Sequence, residues 1–478
     1  MNRLKTLMII AAAGLILLGG CTLAPRYSRP TLPVSDQWPV SSAYDNALFS
    51  ADAVSAADMP WTDVFPDKRL RRVIDMALAG NRDLQIAALN VERARALYGV
   101  QRSGLFPTVN AVGAGSAQRV PADLSPTGRV VRPEQYSVSL GIAAWEIDFF
   151  GRIRSLKDVA LEQFLATEQA RRGARILLVA GVASAYFSLA ADQETLILAL
   201  STIETQQAAY DLIKKRFDVG IAPELDLRQA QTRVDAARAD AAFFTRRVAQ
   251  SRNALDLLVG SRVPDELLPE NLDSIEAPVG ITAGLPSEAL LRRPDIMQAE
   301  HMLRAGNANI GAARASLFPR ISLTASVGTA SAELSRLFEN GQGTWNFAPQ
   351  VILPIFDTRS WALLGVAKAE REILKAQYER AIQAAFRDVA DALAVSGTIE
   401  EQLAAQKSFT EAVSETYRLS NLRYEKGIDS FLGVLDAQRS LYAAEQALIA
   451  TRLARLAARI NLYAVLGGGA EDTGAPQN

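Results

Sequence analysis

The sequence predicts a mainly α-helical chain with a smaller membrane β-barrel portion, laid out as a duplicated strand–strand–long helix–helix unit. Three observations carry that prediction. One stretch occurs twice: Arg216 to Gln231 reads RFDVGIAPELDLRQAQ and Arg423 to Gln438 reads RYEKGIDSFLGVLDAQ, with Arg, Gly, Ile, Leu, Ala and Gln shared at a constant shift of 207. Each copy closes a very long proline-free run, residues 152–218 and 359–426, and opens another. Each half also holds two segments in which apolar and small polar residues alternate.

Composition narrows the function classes. At 478 residues and 49% hydrophobic the chain can build a large core, while 7% aromatic content favours close helix packing over bulky cores. A net charge of -1 gives no reason to expect nucleic acid as a partner. One Cys and one His leave no ligand set for a Cys/His metal site. His301 alone could serve any His-dependent catalysis, and it reads as a satisfied helix residue. No nucleophile, base and orienter stand at recognisable spacing, so neither a catalytic site nor an enzyme is expected.

The amino terminus has the layout of a secretory signal over residues 1–20: Arg3 and Lys5, then an apolar stretch from Leu7 to Leu18, too short to span a membrane. Leu18-Gly19-Gly20-Cys21 resembles a bacterial lipobox, in which Cys21 becomes lipidated and starts the mature chain. Residues 21–65 read as a surface-hugging arm, because Pro25, Pro30, Pro33, Pro39 and Pro60 leave no room for long helices.

The first repeat is expected over 66–260. A helical pattern runs from about Leu70 to Arg102, followed by strands at 107–117 and 135–147. In the second strand Tyr136, Val138, Leu140 and Ile142 alternate with Ser137, Ser139 and Gly141. A long helix at 152–219 follows, reaching roughly 100 Å at 1.5 Å per residue. A helix at 223–259 carries Leu227, Val234, Ala241, Val248 and Leu255 seven apart, a coiled-coil seam ended by Gly260. A proline-rich linker spans 261–286.

The programme then repeats over 287–467, with strands at 319–328 and 345–354, a polar loop between them, and helices at 359–426 and 430–466. Val434, Leu441, Leu448, Arg455 and Leu462 repeat the seam 207 residues on. Residues 468–478 form a polar tail. In each repeated stretch Gly220 or Gly427 can end one helix in the left-handed conformation, and Pro223 or Ser430 suits the start of the next.

The better strands match the roughly 9–11 tilted residues of a membrane barrel strand. Soluble hairpins capping a coiled coil are the competing reading, disfavoured by the export signal and by outward Tyr136, Trp345 and Phe347. Four strands cannot close a barrel, and an open edge in lipid leaves backbone groups unpaired. The barrel must therefore come from several chains, and composition does not say how many.

Taken together, LGGC at Leu18–Cys21, LFP at 105–107 and 317–319, WEIDFFGRIR at Trp145–Arg154, LRRPDI at Leu291–Ile296, LPIFD at Leu353–Asp357 and RYEKGIDSFLGVLDAQRSLY at Arg423–Tyr442 resemble one family over the whole mature chain. It is the outer-membrane factors, the TolC or NodT family of efflux outer-membrane lipoproteins. The resemblance implies a homotrimer in the outer membrane: a twelve-stranded β-barrel continued by a long α-helical coiled-coil barrel across the periplasm, with the linker forming an equatorial belt. It implies a diacylglycerol and N-acyl lipid on Cys21, with no other cofactor and no metal. Partners would be a periplasmic adaptor and an inner-membrane transporter of the resistance-nodulation-division type, with drugs and other small molecules conducted passively. Type I protein secretion, metal-ion efflux and a non-conducting envelope lipoprotein are the alternatives.

The resemblance also assigns sites. Gly220-Ile221 and Gly427-Ile428 match the pairs at the periplasmic tip that receive the adaptor. Asp226 and Tyr424 match members of the polar set that holds the tip closed, and Asp436 matches an acidic position facing the pore. The usual Arg partner falls at Asp429, so that bridge cannot form here.

Overall fold

The computed structural model describes residues 22–44, 59–281 and 290–468; the signal segment, Cys21 and the tail beyond 468 lie outside them. The chain forms two compact units, residues 1–30, 90–167 and 299–378 in one and 31–89, 168–298 and 379–478 in the other.

The first unit is built on a four-stranded antiparallel sheet in the order β1 (Val109–Ala117), β2 (Glu134–Ile147), β3 (Arg320–Ser331) and β4 (Gly343–Ile352). β1 and β3 begin just after Pro107 and Pro319, each later than the expected start, because proline has no N–H for the ladder. The expected polar loop between β3 and β4 is shorter than its sequence suggested. Pairing continues to Thr329 and Gly343, and Ala330 N–H donates to the Gln342 carbonyl at 2.9 Å.

The register puts the alternating sets on common faces. Ala111, Leu140, Val327 and Trp345 form one cross-strand row, and Val109, Ile142, Ala325 and Phe347 the next. The opposite face carries Asn110, Gly141, Ser326 and Asn346. Nothing packs over the outer strands: every residue of β1 and β4 is exposed, Trp345 at 80% and Phe347 at 61%. A large apolar side chain left in water forgoes roughly 1.5–3 kcal/mol of burial. One irregularity interrupts the ladder between Ile142 and Trp145, where Ala144 takes φ 48° and its N–H donates to Thr324 Oγ1 at 3.1 Å.

The WEIDFFGRIR motif joins sheet to helix. Asp148 accepts from the backbone N–H of Ile153 and Arg154 at 3.1 and 2.9 Å, opening the helix α3 (Arg152–Asp218). Arg152 donates both arms of its fork to Glu146 at 2.8 and 2.7 Å. Asp357, the last residue of LPIFD, does the equivalent for α6 (Thr358–Glu425), accepting from the N–H of Arg359 and Ser360.

The arm hugs one stripe of α5 (Pro294–Ala315). Arg314 donates to the Leu23 carbonyl, Asn307 to the Pro25 carbonyl, and Arg29 forks onto Glu300 at 3.1 and 2.8 Å. A Cβ on Gly311 would stand 2.8 Å from the Ala24 nitrogen, so glycine permits the close approach. Burial alone would raise the Glu300 carboxyl, but hydrogen bonds from Arg29 and Arg304 outweigh it and hold it below its ordinary value. Tyr27, buried beside that carboxylate, is pushed up to about 12. His301 meets Glu162 at 2.6 Å, the satisfied helix residue expected.

In the second unit the expected helix from Leu70 to Arg102 is two, α1 (Lys68–Gly80) and α2 (Arg82–Ser103). Asn81 breaks it. Its side chain accepts from Leu84 N–H at 2.9 Å and donates to the Leu258 carbonyl near the end of α4 (Glu224–Val259) at 2.8 Å. Gly260 ends α4 at φ 77° beside the Gly80 carbonyl. Phe65, Val73, Ile74, Tyr186, Leu255 and Tyr463 lie among the buried core residues of this unit. The heptad positions Val234, Ala241, Leu255, Val434 and Leu462 are buried, the last two on α7 (Phe431–Val465). α3 contains a stretch of mean hydropathy 1.7, long enough to cross a bilayer; 61% of it is buried inside the protein, as in a core helix.

Candidate functional site

The two repeated stretches fold as two copies of one helix stop. In the first, Gly220 takes φ 79°, its N–H donates to the Phe217 carbonyl at 2.8 Å, and Ile221 N–H reaches back to Arg216 at 2.8 Å. In the second, Gly427 takes φ 72°, its N–H meets Tyr424 at 2.9 Å, and Ile428 N–H meets Arg423 at 2.9 Å. Both are Schellman caps, in which the last helical carbonyls are satisfied by the residues just past the glycine. A Cβ on either glycine would touch nothing within 4 Å, so backbone conformation alone demands glycine. The caps leave Ile221 67% and Ile428 61% exposed, an apolar residue at the apex of each turn. Pro223 and Ser430 both occupy the N-cap of the next helix, and Ser430 makes no side-chain cap bond.

Beneath the turns the two hairpins share a core of Ile213, Ala230, Phe431, Val434 and Leu435, with Leu227, Tyr417 and Tyr424 packed against it. One polar bridge crosses it. Arg216 donates to the Tyr424 hydroxyl at 2.5 Å and stands 5.5 Å over the Tyr424 ring, which packs on Phe431 at 5.1 Å.

Within the protomer the partner of Tyr424 is Arg216, and no hydrogen bond joins Tyr424 to Asp226. Asp429 binds within its own turn, accepting both arms of Arg423 at 2.5 and 3.1 Å, and that hydrogen bond holds its carboxyl below the ordinary value. Asp436 pairs with Arg439 one turn along α7 and is exposed. Cys21 lies outside the described residues.

Arg216 is the residue that sequence reasoning passed over, although a signal was present. Arg216 and Arg423 occupy the same position of the repeat, but the partner position is Asp429 in the second copy and Ala222 in the first. Arg423 is satisfied locally by an acid. Arg216 has an alanine at that position and reaches across to the other hairpin. The counterpart of Tyr424 is Phe217, which has no hydroxyl, so the bridge forms once and not twice. Among the described residues no group of three or more His, Cys, Asp or Glu could hold a metal ion.

The chain matches the family described as outer membrane efflux protein over residues 73–261 and 285–468, one match per repeat. The antibiotic efflux pump outer membrane protein ArpC of Pseudomonas putida is 48% identical over 97% of this chain and 96% of its own. The toluene efflux pump outer membrane protein TtgC of the same species shows the same identity and coverage. The open-state MtrE outer membrane channel of Neisseria gonorrhoeae superposes with a TM-score of 0.85 at 38% identity, over 94% of this chain and 99% of that one. With two family matches falling on the two repeats and these likenesses spanning nearly its full length, the chain belongs to the outer membrane efflux protein family.

Proposed function

We propose that this chain is the outer-membrane exit duct of a tripartite efflux pump, conducting small organic molecules passively and catalysing nothing. The observation that carries the reading is the sheet: one face in apolar register, the other small and polar, and two outer strands bare on both faces. In lipid such a sheet needs its edges paired, because an unpaired backbone group in hydrocarbon costs several kcal/mol. Edge-to-edge pairing with further copies satisfies β1 and β4 together. Three copies would give twelve strands, and the bare apolar band at Ile355 (94% exposed) and Phe356 (89%) is further surface for self-association.

The lipid on Cys21 would add an anchor beside the barrel without spanning anything. The apical pairs Gly220-Ile221 and Gly427-Ile428 would receive the periplasmic adaptor, since each offers an exposed apolar side chain on a rigid cap. The Arg216–Tyr424 bridge would hold the two hairpins of a protomer together in the closed tip, with Asp436 lending the passage a preference for cations. An inner-membrane resistance-nodulation-division transporter would supply substrates. Relatives named for antibiotic and toluene efflux favour apolar organic cargo over proteins or metal ions.

Recording from purified protein in planar bilayers tests the duct. Discrete conductance steps are expected; bilayers that stay silent with inserted protein would make it a structural lipoprotein.

A further inference from the structure

We infer that the loop joining β1 to β2, residues 118–133, docks the phosphorylated headgroups of outer-leaflet lipid through Arg119 and Arg132. The ladder runs on past the two strands. Gln118 N–H donates to the Pro133 carbonyl at 3.2 Å, and Val120 and Val131 exchange both backbone bonds, at 2.9 and 3.1 Å. That pairing sets Arg119 directly opposite Arg132, in the kind of cross-strand pair that exchanges no backbone bonds and brings side chains closest. Both are exposed, and neither makes a hydrogen bond or ion pair among the described residues. Like charges directly opposite each other repel. A phosphate between them replaces that repulsion with two charge-assisted contacts, and the guanidinium fork suits its oxygens.

Position on the sheet selects a lipid over a soluble anion. The pairs Ala111–Leu140, Gly113–Val138 and Gly115–Tyr136 lie on the apolar face, and the same alternation carries on to Arg119–Arg132. This column therefore runs from aliphatic side chains through one aromatic to two bare cations. Membrane strands order their outward residues in this way: apolar in hydrocarbon, aromatic at the interface, charged among the headgroups. The loop stands at the end of the sheet away from Asp148 and the start of α3, so with the helices in the periplasm it meets the outer leaflet. Glu134, on the same column, is engaged by the Tyr136 hydroxyl at 3.2 Å. The repeat does not require bare arginines: in the loop joining β3 to β4, Arg336 pairs with Glu339 at 3.0 Å. Arg228 and Arg418 likewise pair with an acid on their own helices. The choice of leaflet rests on the embedded sheet proposed above; the affinity of the arginine pair for phosphorylated lipid does not.

The test is microscale thermophoresis on the full-length protein in a nonionic detergent. It is titrated with diphosphorylated lipid A, with lipid A stripped of both phosphates, and with inorganic phosphate. The phosphorylated lipid should bind at least roughly fivefold more tightly than the stripped one, from two exposed charge pairs acting together. Millimolar inorganic phosphate should leave that preference in place. Arg119→Gln combined with Arg132→Gln should abolish it. Arg132→Glu, which gives Arg119 a partner across the ladder, should do the same and serves where the double variant fails to fold. Arg336→Gln should leave the preference unchanged. Equal binding of the two lipids, displacement of the lipid by inorganic phosphate, a preference untouched by both loop variants, or an equal loss in Arg336→Gln would overturn the surface. Binding in detergent needs no bilayer. If Cys21→Ala protein leaves the membrane fraction while the preference persists, the embedded sheet falls and the arginine pair stands.

Discussion

Arg216→Met isolates the bridge between the two hairpins. Methionine keeps the unbranched stem and the helix propensity of arginine, so α3 and the core beneath it should persist. What is lost is one hydrogen bond from a charged donor and one cation over a ring. The first contributes about 1.5–3 kcal/mol when well buried and the second about 0.5–1 kcal/mol at an exposed site. Arg216 is only partly buried, which calls for a solvent discount and leaves about 2 kcal/mol per protomer. If the bridge holds the closed tip, opening should become roughly 30-fold more favourable for each protomer. Single-channel recording reads this as a rise in open probability. Tyr424→Phe removes the hydroxyl and keeps the ring, so its effect should be smaller. The double variant should fall short of the sum, because both changes delete one bond. Asp226→Asn should leave open probability where it was. An unchanged Arg216→Met channel, or strict additivity with Tyr424→Phe, would refute the reasoning.

Further outcomes follow from the caps and the arm. Gly220→Ala and Gly427→Ala should each cost about 1–2 kcal/mol, from forcing a side chain into the left-handed region, read as a lower midpoint of thermal unfolding. Folding lowers the Glu300 carboxyl, so the anchorage of the arm is complete above the ordinary carboxylate range. It weakens as pH falls through the lower, folded value. Limited proteolysis should therefore begin cutting residues 22–30 only in that acid window, and Arg29→Ala should move the onset towards neutral pH. Cys21→Ala should abolish lipid labelling while the protein stays in the membrane fraction; loss from that fraction would show that the sheet is not embedded.

The sequence made the helices and both turns legible because their signals are local. A proline-free run, a heptad and a glycine with its trailing isoleucine each act within a few residues. What it hid was set by contacts far along the chain. Asn81 looks neutral inside a helical pattern, and only its bond to the Leu258 carbonyl turns it into a break. The kink at Ala144 depends on Thr324, which lies 180 residues on. Arg216 was obscured for a related reason: its partner lies in the other repeat, and its own copy gives only the negative clue of Ala222. Family likeness marked Asp226 and Tyr424 as members of the polar set at the tip, and it did not mark Arg216, which bonds that tyrosine within the protomer.

The central claim is that the open sheet closes by pairing β1 of one copy with β4 of the next. Cysteines placed singly at Ala111 on β1 and at Trp345 on β4, combined in one Cys21→Ala chain and oxidised in membranes, test it most directly. Closure predicts a covalent ladder that stops at the trimer. Monomer alone, or a ladder running on beyond the trimer, would contradict it.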